Sequence, residues 1–322
     1  MRLSSLIYKI ARPLGGLQLA RVLTRSHVRI FMYHRISDNH IDEGLNAENF
    51  KRQIQLVKMN FNTISLSDLL SDRSSAQRYT NCAVITFDDG YQDFYKTAYP
   101  ILRAEGVPVT IFVTTGFIDQ EQWLWPDQIK YLLGNTDVKK FNLDALGELC
   151  MAEGRDRAWH KISDHCLTLP NKEKLKFIVN LAKKLDTPLP KTAPPEYEGL
   201  TWGHLREMKE TGLDVQSHSY SHPIMSNLDD RELKFELEEP IKRIHEELGH
   251  KPNIFCYPNG QKIDFNDRVK AAIKMAGYEY AVAAFPGRHT LKDLYEIKRY
   301  PTSDNMEVFN KALFGLTRLA AR

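Results

Sequence analysis

Short runs of β-branched and aromatic residues alternate with helix-like stretches along most of this chain, and no other feature constrains its fold as strongly. The predicted strands are residues 28–34, 61–65, 83–87, 109–113, 213–217, 253–257 and 280–284. Helical patterns lie between them, at residues 47–59, 91–104, 229–248 and 266–276. Strands that alternate with helices are typical of βα units, so the sequence predicts an α/β fold with a parallel sheet or barrel.

The alternation stops once, between about residues 119 and 200. This stretch has four helix-like segments, at residues 127–133, 143–152, 159–167 and 172–185, and it ends in a Pro-rich linker at residues 187–195. It predicts an inserted helical cap. Because strand–helix units resume after it, we assign residues 28–322 to one domain that carries this insertion.

Residues 1–27 form a basic arm. Residues 1–30 contain six Lys or Arg and no acid, whereas the whole chain of 322 residues has a net charge of only +3. The remainder is therefore mildly acidic, which argues against a nucleic-acid groove. The Leu and Ile residues at positions 3, 6, 7, 10, 14 and 17 share one helical face. Such a helix either lies on an anionic membrane, through residues 1–25, or packs on the protein's own body.

Export and membrane-spanning signals are weak. The longest charge-free run of the arm, residues 13–20, contains a proline and two glycines and does not resemble a signal peptide. The longest run without charged or histidine residues, 106–118, is too short for a transmembrane helix. The four cysteines are scattered, which argues against a disulfide framework and mildly favours a reducing compartment. We therefore expect a cytoplasmic protein.

Polar residues suited to chemistry follow directly after several predicted strands. His34 ends the first strand, Asp88 and Asp89 follow the third, and His218 and His222 follow the fifth. The turn at residues 257–260 follows the sixth. Because the carboxyl ends of parallel strands meet on one face, these residues are expected to share one cleft.

The acidic pair and the histidine pair are individually weak signals but form a specific combination. Asp-Asp-Gly is a common turn, although the helix-like stretch after Gly90 argues against a hairpin. Adjacent carboxylates at a strand end repel each other unless a cation or proton relieves the repulsion. The spacing of four can aim His218 and His222 at one point. With one Asp they make three ligands and leave a position for water, as in catalytic zinc sites, while the other Asp can act as a base.

Three segments together resemble the motifs of the polysaccharide deacetylases, the family with the NodB homology domain (carbohydrate esterase family 4). They are residues 86–90 (TFDDG), 218–222 (HSYSH) and 255–260 (FCYPNG), which agree in order and spacing. The resemblance runs from about residue 29 to residue 284, without most of the insertion. Tyr33-His34, together with Trp125 and Asp127, resemble one branch of the family. The resemblance implies a distorted (β/α)7 barrel and metal-dependent removal of acetyl groups from N-acetylated sugars.

The resemblance also implies a role for each matching residue. Three would hold a divalent metal, usually zinc: Asp89, His218 and His222. Asp88 would be the general base, and the backbone N–H of Asn259 would stabilise the oxyanion. Three further residues are expected to contact the sugar: Tyr257, Trp125 and Asp127.

The chain departs from the family pattern in two places. Many members have an Arg that orients the catalytic Asp at the position of Cys256, so Asp88 is expected to lack that partner. The Leu-x-His motif that supplies a general acid is missing, because the segment at residues 294–296 has no histidine. His34 is the first candidate for this acid and His289 the second, while His34 equally suits a structural role at the rim.

Three functions compete at this point. The leading hypothesis is N-deacetylation of a glycan or a lipid-linked sugar intermediate, in the cytoplasm or at the inner membrane. The alternatives are a metal-dependent amidase or deacylase on another substrate and a catalytically degenerate glycan-binding protein. The complete set of four acidic and histidine residues argues against the degenerate protein.

Overall fold

All strands of the main sheet run parallel, as the alternation predicts. The structure is a computed structural model that describes Tyr8 and residues 15–37, 44–71, 80–287 and 289–320. The strands are β1 (Arg29–Tyr33), β2 (Ile36–Ser37), β3 (Leu45–Asn46), β4 (Asn62–Thr63), β5 (Cys82–Phe87), β6 (Val109–Val113), β7 (Lys140–Leu143), β8 (Gly147–Cys150), β9 (Asp214–Ser217), β10 (Ile254–Cys256), β11 (Tyr280–Ala283), β12 (Ile297–Lys298) and β13 (Tyr300–Pro301).

The main sheet curves into a nearly closed barrel. Its ladder runs in the order β12–β11–β10–β9–β6–β5–β1–β13, and β4 also pairs with β5. The two ends of the ladder, β12 and β13, are separated in the sequence by Arg299 alone. The predicted α/β barrel is confirmed, and every predicted strand is present, whereas β12 and β13 were not predicted.

The helices lie between these strands and in the insertion. They are α1 (Gly16–Leu23), α2 (Ala47–Asn60), α3 (Leu66–Ser71), α4 (Tyr99–Glu105), α5 (Thr115–Ile118), α6 (Trp125–Asn135), α7 (Arg155–Thr168), α8 (Asn171–Lys184), α9 (Trp202–Glu210), α10 (Asp230–Leu248), α11 (Asp267–Ala276), α12 (Met306–Leu313) and α13 (Leu316–Ala320). Side chains cap several of them: Asp229, for example, accepts a hydrogen bond from the backbone of Glu232 at the start of α10.

The central strands are buried at every position, because both of their faces are covered. Alternate residues divide between two cores. Ile30, Val84 and Phe112 belong to the core inside the barrel. Phe31 and Ile85 belong to the core beneath the surrounding helices, with Phe50 of α2. This alternation directs every second side chain of a strand into the barrel.

The insertion has its own hydrophobic core, built mainly from α6, α7 and α8. Three of the four predicted helices are present, but the one predicted at residues 143–152 is wrong. This segment belongs to an antiparallel hairpin of β7 and β8. Phe141, Leu143 and Leu149 are buried in the cap core while their neighbours in the hairpin are exposed, a period-two pattern. Gly147 takes a left-handed φ of 71° where β8 begins.

The part of the arm that the structure describes packs on the barrel. The Tyr8 hydroxyl accepts a hydrogen bond from Asn310 of α12 at 2.9 Å, and Arg21 of α1 donates to the carbonyl of Asn60 at 2.7 Å. Residues 1–7 and 9–14, and with them most of the predicted apolar face, lie outside the described residues. Across the ranges that are described, no helix combines the length and apolar character that crossing a bilayer requires.

Candidate metal centre and active site

The predicted site residues meet at the carboxyl ends of the strands, where the backbone is strained. Asp89, Ser219, His222 and Asn259 have left-handed φ angles of 73°, 65°, 56° and 58°, which non-glycine residues rarely adopt. They lie in the turns after β5, β9 and β10. Such a backbone conformation costs about 1–3 kcal/mol per residue, and it tends to cluster at functional sites, where the surrounding structure holds the side chain in place.

Asp89, His218 and His222 converge on one point. The Asp89 Oδ1 atom lies 3.3 Å from Nε2 of His218 and 3.4 Å from Nε2 of His222. The two imidazole rings are 4.9 Å apart and nearly perpendicular, so their nitrogens approach from different directions. Asp89 and His218 are buried, and His222 is nearly so. Burial acts to raise the pKa of Asp89, but the two imidazoles hold it well below its usual value.

These residues fit a divalent metal. Although Asp89 Oδ1 is buried and close to both histidines, it makes no hydrogen bond of acceptable geometry within the described chain. A buried oxygen without a donor is costly, whereas a metal shared with two nitrogens would satisfy it. One carboxylate oxygen and two imidazole nitrogens match the open three-ligand sites that zinc occupies.

One contact orients the His218 ring, and another holds the backbone at His222. The Nδ1 atom of His218 bonds to the carbonyl of Cys256 at 2.9 Å, which turns Nε2 toward Asp89. The indole N–H of Trp125, on α6, donates to the carbonyl of His222 at 3.2 Å. The insertion thus contacts the turn that carries the candidate ligand His222 directly.

The turn between the histidines is held from two sides. The buried carboxylate of Glu236, on α10, accepts hydrogen bonds from the backbone N–H groups of Tyr220 and Ser221 at 2.9 and 2.8 Å, and another from the Ser221 hydroxyl. From the other side, the N–H of Gly116 donates to the Tyr220 carbonyl at 2.9 Å. A Cβ at Gly116 would lie 2.8 Å from that oxygen, so only glycine fits this approach.

Asp88 has an arginine partner, and the expectation that it lacks one is wrong. Arg299, between β12 and β13, donates through Nη1 and Nη2 to the two carboxylate oxygens of Asp88, at 2.7 Å each. Both side chains are buried. Arg299 also contacts Cys256 Sγ at 3.1 Å, so its guanidinium reaches the position from which the family's usual Arg would act. Burial acts to raise the pKa of Asp88, but the guanidinium, with smaller help from His218 and His34, holds it below its usual value.

Of the two candidate acids, the structure brings only His34 to the site. Its Nε2 lies 3.9 Å from Asp88 Oδ2, and its side chain is 46% exposed, open to an incoming molecule. His289 instead lines a small surface cavity with His27 and Val28, which precede β1. It therefore lies at the opposite end of the strands from Asp88 and does not belong to this site.

The turn after β10 presents the predicted oxyanion donor. Asn259 is exposed, and its backbone N–H has no acceptor among the described residues. Its side-chain amide donates to Asp264 at 2.6 Å, and the same carboxylate accepts from the N–H of Gln261 at 2.6 Å. Asp264 is buried and so fixes the turn from below.

The three predicted sugar contacts are mostly enclosed. Tyr257 is 1% exposed, stacks on Phe265 and donates its hydroxyl to the carbonyl of Tyr295 at 2.8 Å. Trp125 is 6% exposed, with the Lys174 ammonium 4.9 Å from its ring centre. Asp127 is also buried and accepts a hydrogen bond from Tyr91 at 2.6 Å. Their sugar-binding role stays a prediction, and these contacts favour support of the site instead.

Two residues of the site escaped the sequence analysis, namely Arg299 and Glu236. Arg299 lies 211 residues from Asp88 in the sequence, in a segment without any recognised motif. Glu236 is one of several acidic residues on a charged helix, and its residue type alone does not separate it from its exposed neighbours. Glu236 does fall on the helix face that carries Leu233 and Leu237, and a charged residue on such a face was the available signal.

Comparison with known proteins identifies the family. The family model described as polysaccharide deacetylase matches residues 76–281, which is more than half of the chain. YxkH of Bacillus subtilis (strain 168), which bears a provisional polysaccharide deacetylase name, is 20% identical over 283 residues, 86% of this chain and 72% of its own.

Solved structures show the same fold. The deacetylase PplD of Streptococcus pyogenes, solved with acetate, is 18% identical, with a TM-score of 0.58 over 88% of this chain and 95% of its own. IcaB of Ammonifex degensii is 14% identical, with a TM-score of 0.57 over 89% of this chain and 97% of its own. With the family model, these findings establish that the chain belongs to the polysaccharide deacetylase family of carbohydrate-deacetylating hydrolases.

Proposed function

We propose that this protein is a metal-dependent hydrolase that removes the acetyl group from an N-acetylated sugar in a glycan. One observation carries the proposal: a three-ligand cluster of Asp89, His218 and His222 lies beside a carboxylate, Asp88, that a buried arginine orients. The family membership supports the same reaction. The intact cluster argues against a degenerate binding protein.

The chain's residues divide the reaction between them. Asp89, His218 and His222 would hold a divalent metal, which we propose to be zinc and which would supply Lewis acidity toward the acetamide carbonyl and toward an attacking water. The water oxygen attacks the carbonyl carbon while Asp88 accepts a proton from the water. The backbone N–H of Asn259 donates to the oxyanion that forms. The carbon–nitrogen bond then breaks, which releases acetate and leaves a free amine on the sugar.

The leaving nitrogen needs a proton, and we propose His34 as its source. His34 is exposed at the mouth of the site and lies 3.9 Å from Asp88. A protonated imidazole can donate a proton to a leaving amine, and an exposed one can take up another proton from solvent. His34→Gln is therefore expected to lower kcat and to leave metal binding unchanged.

Metal content and acetate release test the proposal together. The purified protein should hold about one divalent metal per chain, and both His218→Ala and Asp89→Ala should lose it. His245→Ala, at an exposed histidine on α10, is the matched control and should keep it. Asp88→Asn should keep the metal while losing turnover of an N-acetylated oligosaccharide. Full metal occupancy in both ligand variants, or an active Asp88→Asn enzyme, would contradict the assigned roles.

The carrier of the sugar and the location of the protein are finer proposals. We propose a cytoplasmic enzyme that contacts the inner membrane through residues 1–25 and acts on a glycan or a lipid-linked sugar. Acetate release should be compared for chitooligosaccharides, lipid-linked sugars and nucleotide-linked sugars. If a metal-loaded enzyme releases acetate from none of them, an amidase or deacylase acting on another substrate becomes the better interpretation.

A further inference from the structure

Helices α1 and α13 adjoin each other near the two ends of the chain, and both expose aliphatic side chains. Leu19, Val22 and Leu23 of α1 are 61%, 52% and 64% exposed, and their spacing puts them on one helix face. Leu319 of α13 is 51% exposed, and the two helices pack against each other. We call these four residues the terminal patch. Single exposed leucines are ordinary, whereas several on adjoining helices indicate an interaction surface.

A buried arginine joins the two helices to the barrel. The side chain of Arg29, at the start of β1, is 2% exposed. It donates to the carbonyls of Thr24 and Leu313 at 2.7 and 3.1 Å, and so it holds the segment after α1 and the segment before α13 together. Its hydrogen bonds among the described residues go to carbonyl and hydroxyl oxygens, not to a carboxylate. The terminal patch is therefore a fixed feature of the fold.

The sequence segments that carry the terminal patch are cationic. Residues 1–30 contain no acid, and residues 308–322 contain three Lys or Arg and no acid. Arg25 is exposed just after α1, and Arg318 lies on α13. Burial lowers the pKa of His27, and the positive charges of Arg318 and Arg29 lower it further, as expected in a positive local potential.

The terminal patch lies at the end of the barrel opposite the metal ligands. Helix α1 contacts Asn60, the last residue of α2, and Arg29 contacts Leu313, the last residue of α12. Helices α2 and α12 therefore end at the amino ends of the strands, whereas Asp88 and His218 follow the carboxyl ends. The six residues of β5, at roughly 3.3 Å per residue, set the two ends about 20 Å apart.

We propose that the terminal patch docks on an anionic lipid bilayer and holds the metal site away from the membrane. Aliphatic side chains insert at the level of the headgroups, and the flanking arginines bind anionic phosphates, as interfacial helices do. The lack of acidic residues in both terminal segments favours a bilayer over a protein partner of mixed charge. This docking is independent of the enzymatic activity.

One consequence concerns the substrate and rests on the proposed function. A sugar joined directly to a lipid headgroup would lie at the membrane, about 20 Å from the site of the docked enzyme. A glycan chain long enough to extend that distance would reach it. The docked enzyme is therefore expected to favour oligomeric or polymeric glycans over a single lipid-linked sugar.

Vesicle sedimentation of the full-length protein tests the docking. Binding is expected to vesicles of phosphatidylglycerol and phosphatidylcholine and not to phosphatidylcholine alone. The pair Leu19→Ser and Val22→Ser should weaken partitioning by at least about 10-fold, because two aliphatic side chains lose their insertion. The matched control pair is Leu175→Ser and Val179→Ser, at 48% and 50% exposure on α8, and it should bind as the parent does.

Charge and orientation give independent readouts. Arg25→Glu with Arg318→Glu should weaken binding to anionic vesicles by at least about 10-fold. In a Cys150→Ser background, a fluorophore on Ser26→Cys should be quenched by brominated lipids, while one on Ile263→Cys, after the Asn259 turn, should not. The proposal is overturned if the protein does not sediment, if both serine pairs bind equally, or if the Ile263 probe is the one quenched. Because none of these measurements uses acetate release, they fail or succeed separately from the proposed activity.

Discussion

Removing the Arg299 guanidinium tests how Asp88, the proposed general base, is held. Arg299→Met deletes two charge-assisted hydrogen bonds of 2.7 Å to Asp88, in a place where both side chains are 3% exposed or less. Loss of one partner from a buried ion pair leaves the other charge without compensation, which costs about 3–5 kcal/mol of unfolding free energy. A general base contributes on the order of 10²–10⁴-fold to a rate, and a misplaced Asp88 forfeits much of it. We expect kcat to fall by about 10² or more.

The measurements separate a positioning role from a merely structural one. Unfolding in urea gives the stability, elemental analysis gives the bound metal, and acetate release at saturating substrate gives kcat. Arg299→Met should keep its metal, because Arg299 does not contact the three metal ligands among its described partners. Arg299→Lys keeps the charge without the paired donors, so its kcat should lie between those of the parent and Arg299→Met.

A rescue variant tests whether an arginine contact positions Asp88, even if Arg299→Met folds poorly. The Sγ atom of Cys256 lies 3.5 Å from Asp88 Oδ2, so an arginine at position 256 can approach the same carboxylate. Cys256→Arg in an Arg299→Ala background should recover activity relative to Arg299→Ala alone. The idea fails if a folded, metal-loaded Arg299→Met enzyme keeps the parent kcat. It also fails if the double variant folds, binds metal and is no more active than Arg299→Ala.

Three further predictions concern the supports of the site. Glu236→Gln should weaken metal affinity about 10- to 100-fold, because the turn between the histidines loses its carboxylate acceptor. Chelator competition measures this affinity, and an unchanged value would contradict the supporting role of Glu236. Gly116→Ala should cost about 1–3 kcal/mol of stability, because its Cβ would meet the Tyr220 carbonyl at 2.8 Å. The control is Gly134→Ala on α6, where the new Cβ has open space, and it should be neutral or stabilising by up to about 1 kcal/mol. Equal effects of the two substitutions in urea unfolding would exclude the steric explanation. Burial lowers the pKa of Lys174 from 10.5 to about 8. Between these two pH values the unfolded chain binds more protons than the folded chain, so the free energy of unfolding rises with pH, by about 3 kcal/mol at most. Lys174→Met should therefore be more stable than the parent at pH 7 and lack this rise, and parallel pH–stability curves for the two proteins would refute the shift.

The sequence alone was sufficient to predict the barrel and the principal residues of the site. Short runs of β-branched and aromatic residues alternate with helical patterns, and both are local properties that can be read without knowledge of the fold. The rule that parallel strands deliver their carboxyl ends to one face then placed Asp88, Asp89, His218 and His222 together, and the structure brings them within contact distance.

Local patterns failed where two structures could satisfy them equally. The hydrophobic residues at positions 141–150 suit one face of a helix and one face of a hairpin. The cap core decides for the hairpin, because Phe141, Leu143 and Leu149 fill the space between α6, α7 and α8. In the same way, Tyr257 and Trp125 had the chemistry of sugar-binding residues, but their burial and hydrogen bonds depend on neighbours distant in sequence.

The sequence by itself determined which residues are the candidates for the chemistry, because motif spacing and strand ends can be read from contiguous segments. Only the tertiary structure decided how they are supported and oriented. Arg299 reaches Asp88 because the barrel nearly closes between β12 and β13. The two residues are 211 positions apart in the sequence, and no local pattern indicates that they are in contact. Likewise the segment after α1 and the segment before α13 meet because Arg29, at the start of β1, donates hydrogen bonds to both of them. Contacts of this kind form when the barrel brings distant segments together, and they are therefore visible only once the chain is folded.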